Sequence, residues 1–430
     1  MKSHPYWWED AGHPASTSRD SLPSEVDVVI VGVGHTGASA ALTLARAGKS
    51  VLALDAMAPG EGASSRNGGM CGGGHRLSIA ELEATFGKPR GHAMLREAHI
   101  DSAEFTEARM LEENIQCDYV QTGRFRGFWK KSEYDATARG LEDLRKIVPV
   151  ESEMVPRSRQ HEEVASELYK GGVIFPSHGG LNPAKLVNGL IEAAERTGAV
   201  IQGNAPVTGL DRAGNALTVN TPLGKVRCGE ILVTTNGYTP AHLNHLKRRI
   251  IPVPSYLIAT EVLGEQRIKQ LFPNKRMIVE TRDRHCYYRP SPDGTRIVFG
   301  GRAATFDVSL PFALRELRRL LRQIFPELKP VGLTHCWTGL TGFTFDFLPN
   351  VGKIDGIWHA MGYSGSGNSM APYLGHKAAL QILGDPDGDT AFSYSGFPTK
   401  WWHQGRPWFL PFADVVYRAK DIMADMRRSA

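Results

Sequence analysis

The feature that most constrains this chain is a glycine triplet, Gly32, Gly34 and Gly37, directly behind the apolar run Val26–Val31. A short continuous apolar run reads as a buried strand. The residues after it, Thr36 to Ala47, are small and apolar at helical spacing, and Gly48 stands where a helix closes. Ser50 to Leu54 reads as a second strand, ending at Asp55. Together these predict a βαβ unit. Gly32 permits a tight turn, Gly34 lets backbone approach a pyrophosphate, and Gly37 lets helix and strand pack closely. The helix start, at Thr36, offers free N–H groups and the positive end of a dipole. Asp55 follows Gly37 by 18 residues, where a ribose hydroxyl partner belongs, with Ala56 beside it. FAD and NAD share this fingerprint. Glycine-rich pieces recur at 235–237 and 362–367, and a cofactor as long as FAD needs several distant loops, so the pattern favours FAD.

The bulk properties exclude several classes. At 430 residues, two or three domains are expected. Apolar residues at 41% and charged residues at 22% suit a soluble globular protein. The net charge of +5 has no cluster beyond Lys247-Arg248-Arg249, which argues against a nucleic-acid partner. The five cysteines are widely spaced and without a CxxC, so neither a disulfide framework nor a metal site is expected, and a reducing cytoplasm fits. No signal peptide and no apolar stretch of membrane-spanning length is read. The oligomeric state is left open.

Along the chain, residues 1–24 read as an irregular aromatic arm and 58–75 as a glycine-rich loop. Helices are expected over 88–114, Lys131–Ile147, Leu310–Ile324 and Pro183–Thr197, the last capped by Asn182 with Pro183 at its first position. Strands are expected within 119–129, 205–234 and 250–300, and glycine-rich loops with one helix over 337–383. The fold class is therefore α/β, α+β overall: a Rossmann-like FAD-binding domain (25–85, 166–244, 331–390) interleaved with an antiparallel-sheet substrate domain (86–165, 245–330). An aromatic tail (391–430) has no assigned place.

Longer motifs carry a resemblance. Gly62-Ala63-Ser64-Ser65-Arg66-Asn67-Gly68-Gly69 is similar to the loop that runs under the FAD pyrophosphate and flavin in the D-amino-acid-oxidase-like flavoprotein family. Gly179–Pro183, Trp337-Thr338-Gly339, Thr344–Pro349 with Val351-Gly352, and Gly362-Tyr363-Ser364-Gly365-Ser366-Gly367-Asn368 resemble further family motifs. Tyr6-Trp7, Ile251–Glu261 and Tyr287-Tyr288-Arg289 look like its gamma-glutamylputrescine oxidoreductase branch. The resemblance implies cofactor contacts at Ser64, Ser65, Arg66, Asn67, Gly68, Gly69, Val207 (adenine), Thr235, Asn236, Gly237, Gly339, Gly362, Gly365, Gly367 and Asn368. The last loop opens a helix, whose N–H groups would face the electron-rich edge of the flavin.

The departures from the family narrow the substrate. Glycine and D-amino-acid oxidases clamp a carboxylate with an Arg three residues before the T-x-D threonine; here that position is Thr341. The lysine of monomeric sarcosine oxidases is replaced by Ser369. The reacting carbon is thus expected to lack an adjacent carboxylate, unless a clamp has moved to Arg66, Arg76 or Arg289. The implied activity is oxidation of a small amine: hydride passes from the C–N carbon to flavin N5, the imine hydrolyses, and dioxygen is reduced to hydrogen peroxide. A sarcosine or amino-acid oxidase, and a dehydrogenase with another acceptor, are the alternatives. Lys247 is either the lysine that assists oxygen or a solvated basic turn. Tyr256, Tyr288, Trp337 and Tyr363 are candidate pocket walls, and His178 and His285 weak candidate bases. Cys286 stands where sarcosine oxidases attach flavin covalently, although a small buried thiol is the reading preferred here, with FAD non-covalent. His35 is read as a spacer.

Overall fold

Glu25–Val31 is the central strand of a mostly parallel sheet, ordered Asn350–Ile354, Ile357–Met361, Gly224–Val233, Glu25–Val31, Val51–Leu54, Val200–Gln202 in this computed structural model. It pairs in parallel with both neighbours, and its apolar sequence follows from burial on both faces. On one face, helices His35–Arg46, Pro183–Arg196 and Gly367–Leu383 pack through small side chains such as Ala40, Ala41, Ala193, Ala378 and Ala379. On the other, Val29, Val31, Leu52 and Leu54 meet Leu217 and Val219 of an antiparallel hairpin. The structure describes residues 1–14, 21–74, 76–213 and 216–429; the parts of the expected arm at 15–20, of the glycine-rich loop at 75 and of the meander at 214–215 lie outside them.

The second sheet runs Leu333–Phe343, Ile251–Thr260, Ile297–Gly301, Cys286–Pro290, Met277–Glu280, Arg124–Gly127, Gly172–Phe175, Glu153–Val155. All its pairings are antiparallel except that of Met277–Glu280 with Arg124–Gly127. Strand side chains alternate between faces. One face, bearing Phe125, Tyr256, Ile258, Cys286, Tyr288 and Phe299, forms a core with the amphipathic helix Leu310–Ile324 through Ala313, Leu317, Leu320, Leu321 and Ile324. The other face, bearing Arg124, Arg126, Val253, Ser255 and Tyr287, lines a cavity.

Three expectations need correction. Gly172–Phe175 and Leu333–Phe343 belong to the antiparallel sheet, although the boundaries drawn from sequence put them in the FAD-binding domain, and 337–343 is strand rather than loop. The helices Lys88–Arg96 and Ser102–Glu112 and the turn Glu97–Asp101 between them pack on the parallel-sheet side: Met94, Leu95 and Ala98 join the core of Val28 and Ile30, with Phe105 packed against it. The tail is built in, with Phe392, Tyr394 and Phe397 buried and helix Leu410–Ser429 tied by Thr305 N–H to Asp414 Oδ1 (3.0 Å).

Candidate functional site

The cavity, about 1090 Å³, lies between the carboxyl ends of the parallel strands and the antiparallel sheet. That exceeds the roughly 300–1,000 Å³ of ordinary ligand pockets and leaves room for a dinucleotide and a substrate. The glycine turn forms one end. Gly32 has φ +100°, which favours glycine, and a Cβ on Gly37 would stand 2.0 Å from the Gly32 carbonyl oxygen. A Cβ on Gly34 would come 2.7 Å from Ser64 Oγ, which accepts from the His35 amide (2.9 Å). Asp55 accepts from the amides of Val33 (2.7 Å) and Met57 (2.9 Å) while lining the cavity. Burial raises its pKa, a tendency those backbone bonds oppose. His35 also lines the cavity, and burial drops its pKa to about 4, so its ring is neutral.

Of the residues expected to hold the cofactor, Gly32, Gly34, Thr36, Asp55, Ala56, Ser64, Asn67, Gly68, Val207, Thr235, Asn236, Gly365, Gly367 and Asn368 line the cavity. The rest stand behind them. Gly37 and Gly69 touch backbone, at Gly32 and Leu181. Gly237 backs onto Leu340, Gly339 onto Arg66 and Gly362 onto Thr344. Ser65 is fully buried. Arg66 bonds to the Glu61 carbonyl (2.6 Å), pairs with the Glu61 carboxylate (3.3 Å) and lies over Trp8. Two asparagines tie the loops together. Asn67 Oδ1 accepts from Gly69 N (2.8 Å) and Asn368 Nδ2 (2.9 Å), while Asn236 Oδ1 accepts from Gly362 N (3.1 Å). Asn368 Oδ1 is buried with no partner among the described residues, on the cavity wall. This orphan acceptor, the narrow glycine cradle and the Asp55 carboxylate fit FAD.

The expected catalytic set is only partly brought together. Tyr363 lines the cavity, its hydroxyl 2.7 Å from Thr36 Oγ1 and 3.2 Å from the Ala360 carbonyl. Tyr288 does not line it: strand alternation turns it into the core, against Tyr169 OH (2.6 Å) and Phe299, and presents Tyr287 instead. Tyr256 is likewise core, bonded to Asp307 and Val308. Trp337 is fully buried behind the cofactor loop, donating to the Arg66 carbonyl (2.9 Å) and packing with Trp7, which donates to the Asn67 carbonyl (2.7 Å). Lys247 ends a short helix away from the cavity, at Gly405. Cys286 faces the core, 3.6 Å from Arg282 Nη2, and its burial pushes the thiol pKa far up. His178 does not line the cavity; it stands behind two residues that do, accepting from Gly73 N (3.1 Å) and stacking on Phe175. His285 is on the wall, its pKa well below normal through burial and the nearby Arg302, Arg76, Arg126 and Arg282.

The cavity also exposes groups that sequence reasoning missed: Arg124, Arg126, Arg282 and Arg302, with Phe343 and Tyr417. Period-2 alternation within Arg124-Phe125-Arg126 was the signal available for two of them. Of the possible relocated clamps, Arg66 is spent as described. Arg289 is spent on the carbonyls of Gly69 (2.6 Å) and Leu181 (3.1 Å). Arg76 lines the cavity, its guanidinium carbon 5.2 Å from the Phe343 ring centroid.

The family model described as FAD dependent oxidoreductase (DAO) matches residues 27–380. The chain is 29% identical over 384 residues to the gamma-glutamylputrescine oxidoreductase of Escherichia coli, covering 88% of each chain. It is 28% identical over 377 residues to the probable oxidoreductase OrdL of Haemophilus influenzae, covering 84% of each. Among solved structures, glycine oxidase from Geobacillus kaustophilus superposes with a TM-score of 0.73 at 21% identity, covering 88% of this chain and 99% of that one.

Proposed function

The chain belongs to the DAO family of FAD-dependent oxidoreductases, and from that premise we propose that it oxidises a C–N bond of a small amine of the gamma-glutamylputrescine type, with dioxygen as acceptor. The observation that carries the substrate reading is Thr341: an uncharged residue lines the cavity where the family resemblance places the carboxylate-clamping Arg of amino-acid oxidases. The likeness to the Escherichia coli enzyme supports the same class. For a primary amine the net reaction is RCH2NH2 + O2 + H2O → RCHO + NH3 + H2O2.

FAD, when bound, supplies the electron-pair acceptor. The glycine turn at Gly32–Gly37 would hold its pyrophosphate, Asp55 a ribose hydroxyl, and Asn67, Gly68 and the 362–368 loop its ring. Tyr363 is anchored through Thr36, so it keeps its place between the glycine turn and the last loop. His285, neutral at this site, adds no positive charge and presents hydrogen-bonding nitrogens. Flavin attachment is non-covalent in this reading, because the Cys286 thiol faces away. Five reduced, buried thiols suit a reducing compartment; among the described residues no helix is long and apolar enough to cross a membrane.

The test is the visible spectrum of the holoenzyme under argon with gamma-glutamylputrescine, putrescine, sarcosine, glycine and D-alanine, followed by admission of air. Bleaching by a member without a carboxylate beside the reacting carbon supports the proposal; bleaching only by sarcosine, glycine or D-alanine overturns it. Slow recovery in air with fast recovery by a dye would replace oxidase with dehydrogenase.

A further inference from the structure

We infer that Arg76 and Arg302, backed by Arg126, form an anion subsite in the cavity that holds a carboxylate carried by the amine substrate away from its reacting carbon. This rests on the amine reading above and adds a specificity determinant to it.

Five arginines line the cavity on its substrate-sheet side, and their partners divide them. Arg124 donates to the Gly73 carbonyl (2.8 Å), and Arg282 pairs with Glu280 (2.5 Å) while lying over Trp129. These two are spent. Among the described residues, Arg76, Arg126 and Arg302 form no salt bridge. Arg302 has a long contact to the Asp283 carbonyl (3.5 Å), and Arg76 and Arg126 lie over the rings of Phe343 and Phe128.

Arg76 and Arg302 lie over the same ring, their guanidinium carbons 5.2 and 5.3 Å from the Phe343 centroid. Of the acids on this side, Glu280 pairs with Arg282 and Glu133 meets the Thr281 hydroxyl; Glu133 and Asp283 also favour the charged forms of Arg126 and Arg302, but from beyond salt-bridge distance. Burial first, then the charges of Arg302 and Arg126, lowers the Arg76 pKa to about 10, so all three stay charged at neutral pH.

Arg76 and Arg126 are exposed and Arg302 is half-buried, and all three line the cavity, so their N–H groups are open to an anion that enters it. The FAD pyrophosphate is not that anion in this arrangement: its cradle is the glycine turn at the ends of the parallel strands, whereas Arg126 and Arg302 extend from the opposing sheet. Phe343 follows Thr341 by two residues, and the Ser364 amide donates to the carbonyl between them, at Gly342 (3.0 Å). The subsite therefore adjoins the loop expected to hold the flavin. Each guanidinium is planar and can meet a carboxylate through two N–H groups.

The test compares two amines with the same reacting end, gamma-glutamylputrescine and N-acetylputrescine, of which only the first has a carboxylate. Half-saturation of anaerobic flavin bleaching is measured for wild type, Arg302→Gln and Arg76→Gln, each checked for retained flavin. Wild type is expected to prefer the carboxylate-bearing amine at least tenfold, and each variant to shrink that ratio by about tenfold or more. A wild-type ratio within twofold, or variants that weaken both amines equally, overturns the subsite. If neither amine bleaches the flavin, the amine reading fails but the subsite is still judged, by titrating glutarate and following the flavin spectrum. Saturable perturbation weakened tenfold in Arg302→Gln sustains it, and absence of perturbation overturns it.

Discussion

Replacing Asp55 by Asn separates what the carboxylate does for the fold from what it does for the cofactor. In the apoprotein its oxygens accept from Val33 N (2.7 Å) and Met57 N (2.9 Å). Asn offers one oxygen, so one of those amides would face an NH2 group. Leaving a buried donor unsatisfied costs about 1–3 kcal/mol. The change also removes a charge that is disfavoured by burial, which raises the Asp55 pKa, and this offsets part of the loss. Apoprotein stability should therefore fall by no more than about 2 kcal/mol. No such offset applies to FAD: a ribose hydroxyl bonded to a charged acceptor is worth about 1.5–3 kcal/mol. At about 1.4 kcal/mol per decade, the Kd for FAD should rise roughly tenfold to a hundredfold. The assay is quenching of FAD fluorescence by apoprotein, beside chemical unfolding of the same samples. The pH dependence has a definite sign. With the folded pKa raised, the ionised carboxylate costs stability above that pKa, and the cost is relieved as pH falls. FAD binding needs the ionised form, so wild-type affinity should drop as pH falls toward that pKa while the variant stays flat. A variant Kd within twofold of wild type would refute the role given to Asp55.

Gly37→Ala places a methyl 2.0 Å from the Gly32 carbonyl oxygen; since that oxygen belongs to backbone, the helix must shift, and a loss of about 1–3 kcal/mol in unfolding free energy together with weaker FAD retention is expected. Trp337→Phe deletes the bond to the Arg66 carbonyl (2.9 Å) behind the cofactor loop; FAD release, followed by fluorescence, should quicken severalfold while the α/β circular dichroism is kept. Acid precipitation of the holoenzyme should leave the flavin in the supernatant for wild type and Cys286→Ser alike, because the thiol faces the core; a yellow wild-type pellet would contradict this. Lys247→Met should leave reoxidation in air within about twofold of wild type, since Lys247 lies away from the cavity.

Much of the nucleotide half was legible in the chain. Its signals are local: an apolar strand, glycines at set spacing, a helix and an acid within about thirty residues, each constrained by backbone geometry. The glycine turn, Asp55 and the 62–69 and 362–368 loops could be located this way because backbone groups, ordered by sequence neighbours, form the cradle. The substrate side could not be read so. Whether Tyr287 or Tyr288, and Arg126 or Phe125, meets the cavity depends on which face of the sheet the helix Leu310–Ile324 covers, and that is a contact between segments far apart in sequence. Lys247 and Trp337 read as site residues by position along the chain, yet one lies at Gly405 and the other is sealed behind Arg66. Only tertiary packing decided that three arginines from separate segments share one cavity with no salt bridge among the described residues, because charge compensation is a property of neighbours in space. The sequence determined a dinucleotide-binding fold; the packing of the second sheet against it decided which charges line the cavity.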